Sequence, residues 1–210
     1  MLSKKNYLSF IKVGYSTREL GFAFFRMKVL SWIWTRLKYP LRKRGRRVCI
    51  DYSVDIAGTR FIEIDDDCWI QRNTWITVPL VSMHDIENRT YLSIGKRVQV
   101  GRNCFIGASN NVTLADDVLL GPYVTIVDHT HQYSDETRPI IEQGITQEGF
   151  VKIGKGAWVG AGATVLGHRG LTIGENAVVA ANTVLTKDLP ANCVAIGNPA
   201  RIMERRNEHR

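Results

Sequence analysis

The sequence predicts an all-β solenoid, a parallel β-helix with triangular coils, carrying an N-terminal helical extension and a short C-terminal helix. Three observations predict it. Aliphatic residues recur every six positions across some 140 residues. They fall into triplets whose starts often lie 20 residues apart. The charge is sharply divided between the two ends of the chain.

The repeat reads as an aliphatic residue, a small or acidic one, two variable ones, a small or β-branched one, and one more. It appears as Ile94-Gly-Lys-Arg-Val-Gln, Val100-Gly-Arg-Asn-Cys-Phe and Ile106-Gly, and again as Ile153-Gly-Lys-Gly-Ala-Trp, Val159-Gly-Ala-Gly-Ala-Thr and Val165. Further copies start at Leu114, Leu120 and Ile126, and at Ile173, Val179 and Leu185. Weaker ones start at Ile50 and Ile56, and at Ile64, Ile70 and Ile76. Period six in triplets means three short strands per turn, each turn stacked on the last, with the aliphatic residues pointing into a prism. Glycine in this frame is expected to supply corner conformations with positive φ. An amphipathic helix needs a period of 3.6, and a sandwich needs alternation at varied spacing, so neither fits.

The chain has 210 residues and a formal charge of +8. Residues 1–48 hold 13 Lys and Arg against the single acid Glu19, a net +12. The other 162 residues carry a net −4. The body is therefore no nucleic-acid-binding fold, and the basic charge belongs to a head. This divides the chain into a basic aromatic extension over 1–48, a coil domain over 49–200 and a tail over 201–210. The apolar stretch Leu20 to Leu37 contains Arg26, Lys28 and Arg36, too many charges for a bilayer span. No h-region with a cleavage site marks the first residues. Cys49, Cys68, Cys104 and Cys193 form no metal or redox motif, so a reduced, cytoplasmic setting is expected. Cys68 and Cys104 occupy the small position of their hexads and read as core.

Two insertions interrupt the coils, near 79–92 and near 127–152. Solenoids display function on such insertions. The first holds His84 and Asp85. The second opens Asp128-His129-Thr130-His131. Three readings of this cluster stay open: a polar surface loop, a metal site completed by His84 or Asp128, and a general base held by a carboxylate.

Residues from about 50 to 203 resemble the left-handed β-helix acetyltransferases of the hexapeptide-repeat superfamily, in the branch of the maltose and galactoside O-acetyltransferases and the sugar O-acetyltransferases of surface-polysaccharide synthesis. The segments that carry the resemblance are Val124-Thr-Ile-Val-Asp-His-Thr-His131, Arg138-Pro-Ile, Ile153-Gly-Lys-Gly-Ala-Trp-Val-Gly160, Thr186-Lys-Asp-Leu-Pro190 and Gly197-Asn-Pro-Ala-Arg201. The resemblance implies a homotrimer with acetyl-CoA between neighbouring subunits and no resident metal. It also implies a loop His that deprotonates a sugar hydroxyl for direct attack on the thioester.

Counting without gaps places His131 at the family's catalytic position, with His129 the alternative and Asp128 as orienting carboxylate. Trp158 matches a Trp beside the CoA and acceptor pocket. Ala161, Ala181 and Thr186 match positions along the pantetheine arm, and Lys187 and Arg201 match basic residues near the CoA phosphates. The acceptor-binding carboxylate of the sugar enzymes has no clear counterpart. Ser109, Asn110 and Asn111 lie near that point, and Ser109, Asn110 and His84 are the expected acceptor contacts. The usual Pro-Gly turn is replaced by Gly167-His168-Arg169-Gly170. A metal-dependent hydratase using His84, His129 and His131 is the alternative on the same coil, with amino-sugar N-acetylation and a silent structural β-helix as further ones.

The head carries Tyr7, Phe10, Phe22, Phe24, Phe25, Trp32 and Trp34 amid its basic residues, and Gly21 to Leu37 reads as a helix stopped by Pro40. It is expected to cap the open prism, to lie on an anionic membrane, or both.

Overall fold

The computed structural model describes residues 31–79, 89–146 and 148–205. Helix α1 (Ser31–Lys38) precedes six coils of three short strands each. The first coil is β1 (Lys43–Arg44), β2 (Cys49–Ile50) and β3 (Asp55–Ala57). The second is β4 (Ile62–Ile64), β5 (Trp69–Ile70) and β6 (Trp75–Thr77). The third is β7 (Leu92–Ile94), β8 (Gln99–Val100) and β9 (Phe105–Gly107). The fourth is β10 (Val112–Leu114), β11 (Leu119–Leu120) and β12 (Thr125–Val127). After α2 (Ile140–Gln143), the fifth is β13 (Val151–Ile153), β14 (Trp158–Val159) and β15 (Thr164–Leu166). The sixth is β16 (Leu171–Ile173), β17 (Val178–Val179) and β18 (Val184–Leu185). The strands β19 (Cys193–Ile196) and β20 (Arg201–Glu204) close the chain.

Three sheets form the sides of the prism, ordered β1-β4-β7-β10-β13-β16, β2-β5-β8-β11-β14-β17-β19-β20 and β3-β6-β9-β12-β15-β18. All pairing within them is parallel except β19 with β20, giving the left-handed β-helix architecture. The aliphatic hexad positions stack in columns. Ile64, Ile94, Leu114, Ile153 and Ile173 make one, and Ile76, Ile106, Ile126, Val165 and Leu185 make another, all buried. A single rung cannot cover its own apolar edge, so the core exists only as the stack.

The structure corrects the reading of glycine. Among the described residues, most corner positions with positive φ are filled by residues such as Arg47, Asp67, Arg97, Asp117, Asn73, Asn103, Asn176 and Asn182, while Gly58, Gly156, Gly162 and Gly170 take the expected role. The second-position glycines serve close approach instead. A Cβ on Gly101 would lie 2.5 Å from the backbone carbon of Gly121 in the next coil. Packing between coils, rather than backbone handedness, requires Gly there.

The expected short C-terminal helix is also corrected. Gly197, at φ 96°, turns the chain back, and Arg201 to Glu204 pair antiparallel with Ile196 to Cys193. The open edge of β19 claims those backbone groups before a helix can form. The final sheet therefore extends into the segment expected as tail. At the other end, the basic run from Leu41 to Arg47 contains a strand, since Lys43 and Arg44 pair with Glu63 and Ile64. Helix α1 sits on the outer edge of β2. There the Thr35 hydroxyl accepts from the Ile50 N–H at 3.0 Å and lies 3.3 Å from the Ile50 carbonyl, and the Tyr39 hydroxyl donates to the Val54 carbonyl.

Along one corner the coils alternate in charge. Arg46 and Arg47 bind Asp66 and Asp67, and Arg97 binds Asp117 at 2.5 Å and Asp116 at 3.5 Å. The Arg47 side-chain hydrogen bond holds Asp67 below its ordinary 3.8, and the Arg97 side-chain hydrogen bond does the same for Asp117. A carboxylate whose folded pKa is depressed contributes stability above its unfolded value and loses it as pH falls through the folded one. Arg97→Ala is therefore expected to lower the thermal midpoint slightly at pH 7 and low salt. The difference from the parent should shrink as pH falls below 3.8, vanish only below the depressed folded pKa, and shrink in high salt. Thermal melts across pH check this.

Candidate functional site

The second insertion leaves the prism directly after β12 and returns before β13. Its first residue, Asp128, is fully buried and acts as an anchor. Its Oδ1 accepts the Ser109 N–H at 2.8 Å, and its Oδ2 accepts those of Asn110 at 2.8 Å and Asn111 at 2.7 Å. These three residues form the corner between β9 and β10, one coil below. Nδ1 of His129 lies 2.9 Å from the same Oδ1. A carboxylate only accepts, so Nδ1 carries a hydrogen in this contact, and in the neutral ring the lone pair is then on Nε2. The His129 side chain is 17% exposed.

His131 is exposed, and its backbone bridges Ile145 across the insertion. The loop is ordered by its own bonds. Gln143 donates to the carbonyls of Asp135 at 2.8 Å and Arg138 at 2.9 Å. Thr146 donates its N–H to the Thr130 carbonyl at 2.8 Å. Asp135 accepts from the Thr137 hydroxyl at 2.6 Å and the Thr137 N–H at 3.0 Å, which hold its carboxyl below the ordinary range.

Of the expected acceptor contacts, Asn110 commits its amide to the Gly149 carbonyl and receives Arg89 at 3.3 Å. The Ser109 hydroxyl is buried with no hydrogen-bond partner among the described residues. His84 lies outside the described residues, as does most of the first insertion.

Three residues near the histidines escape the sequence reading. A Cβ on Gly107 would sit 3.1 Å from Cε1 of His129 and 3.3 Å from the Phe105 ring, so Gly leaves room for the imidazole. Phe105 in turn stacks on Trp75 at 4.8 Å, forming an aromatic face on the outside of the third sheet. A Cβ on Gly149 would fall 1.7 Å from the Asp128 carbonyl oxygen, so the loop can return past Asp128 only without a side chain. Gly107 holds the small second position of its hexad, so the repeat itself gives no sign of this further role.

Trp158 stands 50% exposed on the outer face of the second sheet, in the row of Leu119, Val178, Val194 and Met203. A Trp at the last hexad position points outward, as its place in the repeat predicts. Ala161 and Ala181 stack at the adjoining corner. Cβ atoms on Gly121 and Gly160 would lie 2.8 Å and 2.6 Å from their respective backbone nitrogens. Thr186, Lys187 and Arg201 are exposed near the last coil and β20. One chain thus places the histidine loop and Trp158 on different sides of the prism.

Cys68 and Cys104 are core, as expected. Burial pushes the Cys68 thiol up to about 12 and the Cys104 thiol up to about 11, so neither offers a thiolate near neutral pH. Among the described residues no three His, Cys, Asp or Glu side chains converge as metal ligands.

A family model described as "Hexapeptide repeat of succinyl-transferase" matches residues 150–187. A galactoside O-acetyltransferase of Escherichia coli is 30% identical over 145 residues, 66% of this chain and 64% of that enzyme. A galactoside O-acetyltransferase of Lactococcus lactis is 31% identical over 166 residues, 75% of this chain and 70% of that enzyme. The chain belongs to the hexapeptide-repeat acetyltransferase family. It spans just under two thirds of the length of the Escherichia coli relative. Among solved structures, a variant of AntD, an N-acyltransferase from Bacillus cereus in complex with dTDP and coenzyme A, shares the acetyltransferase-family fold. Its TM-score is 0.67 at 16% identity, covering 92% of this chain and 91% of that one.

Proposed function

We propose that this chain transfers an acetyl group from acetyl-CoA to a hydroxyl of a sugar. The observation that carries the reading is the insertion of an acetyltransferase-family coil that projects two imidazoles, one of them held by a buried carboxylate. His131 is proposed as the general base, on its register with the family and its exposure. It takes the proton of the acceptor hydroxyl as that oxygen attacks the thioester carbonyl. The carbon–oxygen bond forms, the carbon–sulfur bond breaks, and the thiolate of CoA leaves and is protonated. The 2.9 Å contact of His129 with Asp128 favours a second reading, in which His129 is the base.

Trp158, Ala161, Ala181, Thr186, Lys187 and Arg201 are proposed to line the CoA path. Because the histidine loop and Trp158 occupy different sides of one prism, the site is proposed to close between copies of a homotrimer. The unpartnered Ser109 hydroxyl is proposed to meet the acceptor. The acceptor is proposed to be a glycan or lipid-linked intermediate of cell-surface polysaccharide, made on the cytoplasmic side. No helix among the described residues is long and apolar enough to cross a membrane.

The test is a thiol-release assay with acetyl-CoA and a panel of sugars, an amino sugar included. Acceptor-dependent thiol release with an O-acetylated product is expected. Acetyl-CoA at about 100 times its Kd should also stabilise the fold by about 2.7 kcal/mol. Absence of both stabilisation and transfer overturns the reading. Transfer only to the amine replaces the hydroxyl with nitrogen as nucleophile.

A further inference from the structure

The acetyl-transfer chemistry makes no use of the basic head, yet its described part has a distinctive surface. Helix α1 turns Thr35 and the following Tyr39 inward, both buried. The opposite arc is apolar: Ile33 is 44% exposed, Trp34 41% and Leu37 79%. Ile33 and Leu37 lie one turn apart with Trp34 beside them, and at 3.6 residues per turn Arg36 and Lys38 fall on either side of that arc. Lys38 Nζ lies 5.8 Å over the Trp34 ring. Arg44, also exposed, reaches back to the Thr35 carbonyl at 3.5 Å.

From this arrangement we propose that helix α1 docks the enzyme on an anionic lipid bilayer. Its apolar arc lies in the interface and its flanking cations on the headgroups. An apolar stripe edged by basic residues is the pattern of a helix lying in the membrane plane. Charge selects the occupant. A second copy would bring one +12 segment against another, whereas an anionic bilayer complements it. The acidic body offsets only part of the head's charge: Arg42, Lys43, Arg46 and Arg47 pair with Glu63, Asp65, Asp66 and Asp67 of the second coil. Such docking would hold the coil domain near acceptors carried on lipid, and it stands whether or not the acetyl-transfer reading does.

Co-sedimentation of the full chain with vesicles tests this. Vesicles of phosphatidylcholine with phosphatidylglycerol should bind about tenfold or more tightly than phosphatidylcholine alone, and binding should weaken as salt is raised. The double variant Trp34→Ser, Leu37→Ser alters only exposed groups. It should lose about tenfold or more of that binding while keeping its circular dichroism spectrum and thermal midpoint. Equal binding to neutral and anionic vesicles, or no binding to either, overturns the proposal. So does a double variant that binds as tightly as the parent, or one whose oligomeric state changes while vesicle binding does not.

Discussion

Asp128→Ala is expected to destabilise the fold by about 3–5 kcal/mol, the range for removing one partner from a buried charged network. The carboxylate accepts three backbone N–H groups and contacts an imidazole, all within 2.9 Å. Alanine leaves the Ser109, Asn110 and Asn111 donors at a buried corner with no acceptor. Asp128→Asn keeps one acceptor oxygen but turns an NH2 toward donors, so its loss should be intermediate. Urea unfolding checks the order, with a shift in midpoint at unchanged slope. If the alanine variant stays within about 0.5 kcal/mol of the parent, as an ordinary surface substitution would, the anchoring role is wrong. Activity should fall in both variants, because the corner and the His129 ring share this one carboxylate.

The depth of that anchor explains which parts of the protein were legible in its sequence. The columns through Ile94, Leu114 and Ile153 were readable because each rung repeats one local rule and stacking does the rest. Asp128 was readable as an orienting carboxylate, but its larger role was hidden. Its partners at Ser109 to Asn111 lie about one coil back in sequence and become neighbours only through stacking. The same blindness affected glycine. Gly101 and Gly149 are required by backbone passing within 2.5 Å of where a Cβ would be, a distance absent from any local pattern. The C-terminal strand was not legible, because the open edge of β19 that captures Arg201 to Glu204 exists only once the coils have stacked.

His131→Ala is expected to lower kcat by about 10²–10⁴-fold, the usual contribution of a positioned general base, with little effect on stability. The stability expectation follows from exposure: the ring buries no apolar surface that the coils depend on. His129→Ala should behave differently. Its ring lies over Gly107, is mostly buried and hydrogen-bonds Asp128, so it should lose some stability as well as activity. The comparison that decides the base is the effect on kcat at equal folded fraction. A larger loss in the His131 variant assigns the proton transfer to His131 and leaves His129 as a positioning residue for the loop. A larger loss in the His129 variant assigns it to the Asp128–His129 pair, and the Asp128→Asn variant should then track it, since the amide no longer holds Nδ1–H as a carboxylate does. Full activity in both single variants removes the general base from the insertion and takes the proposed mechanism with it.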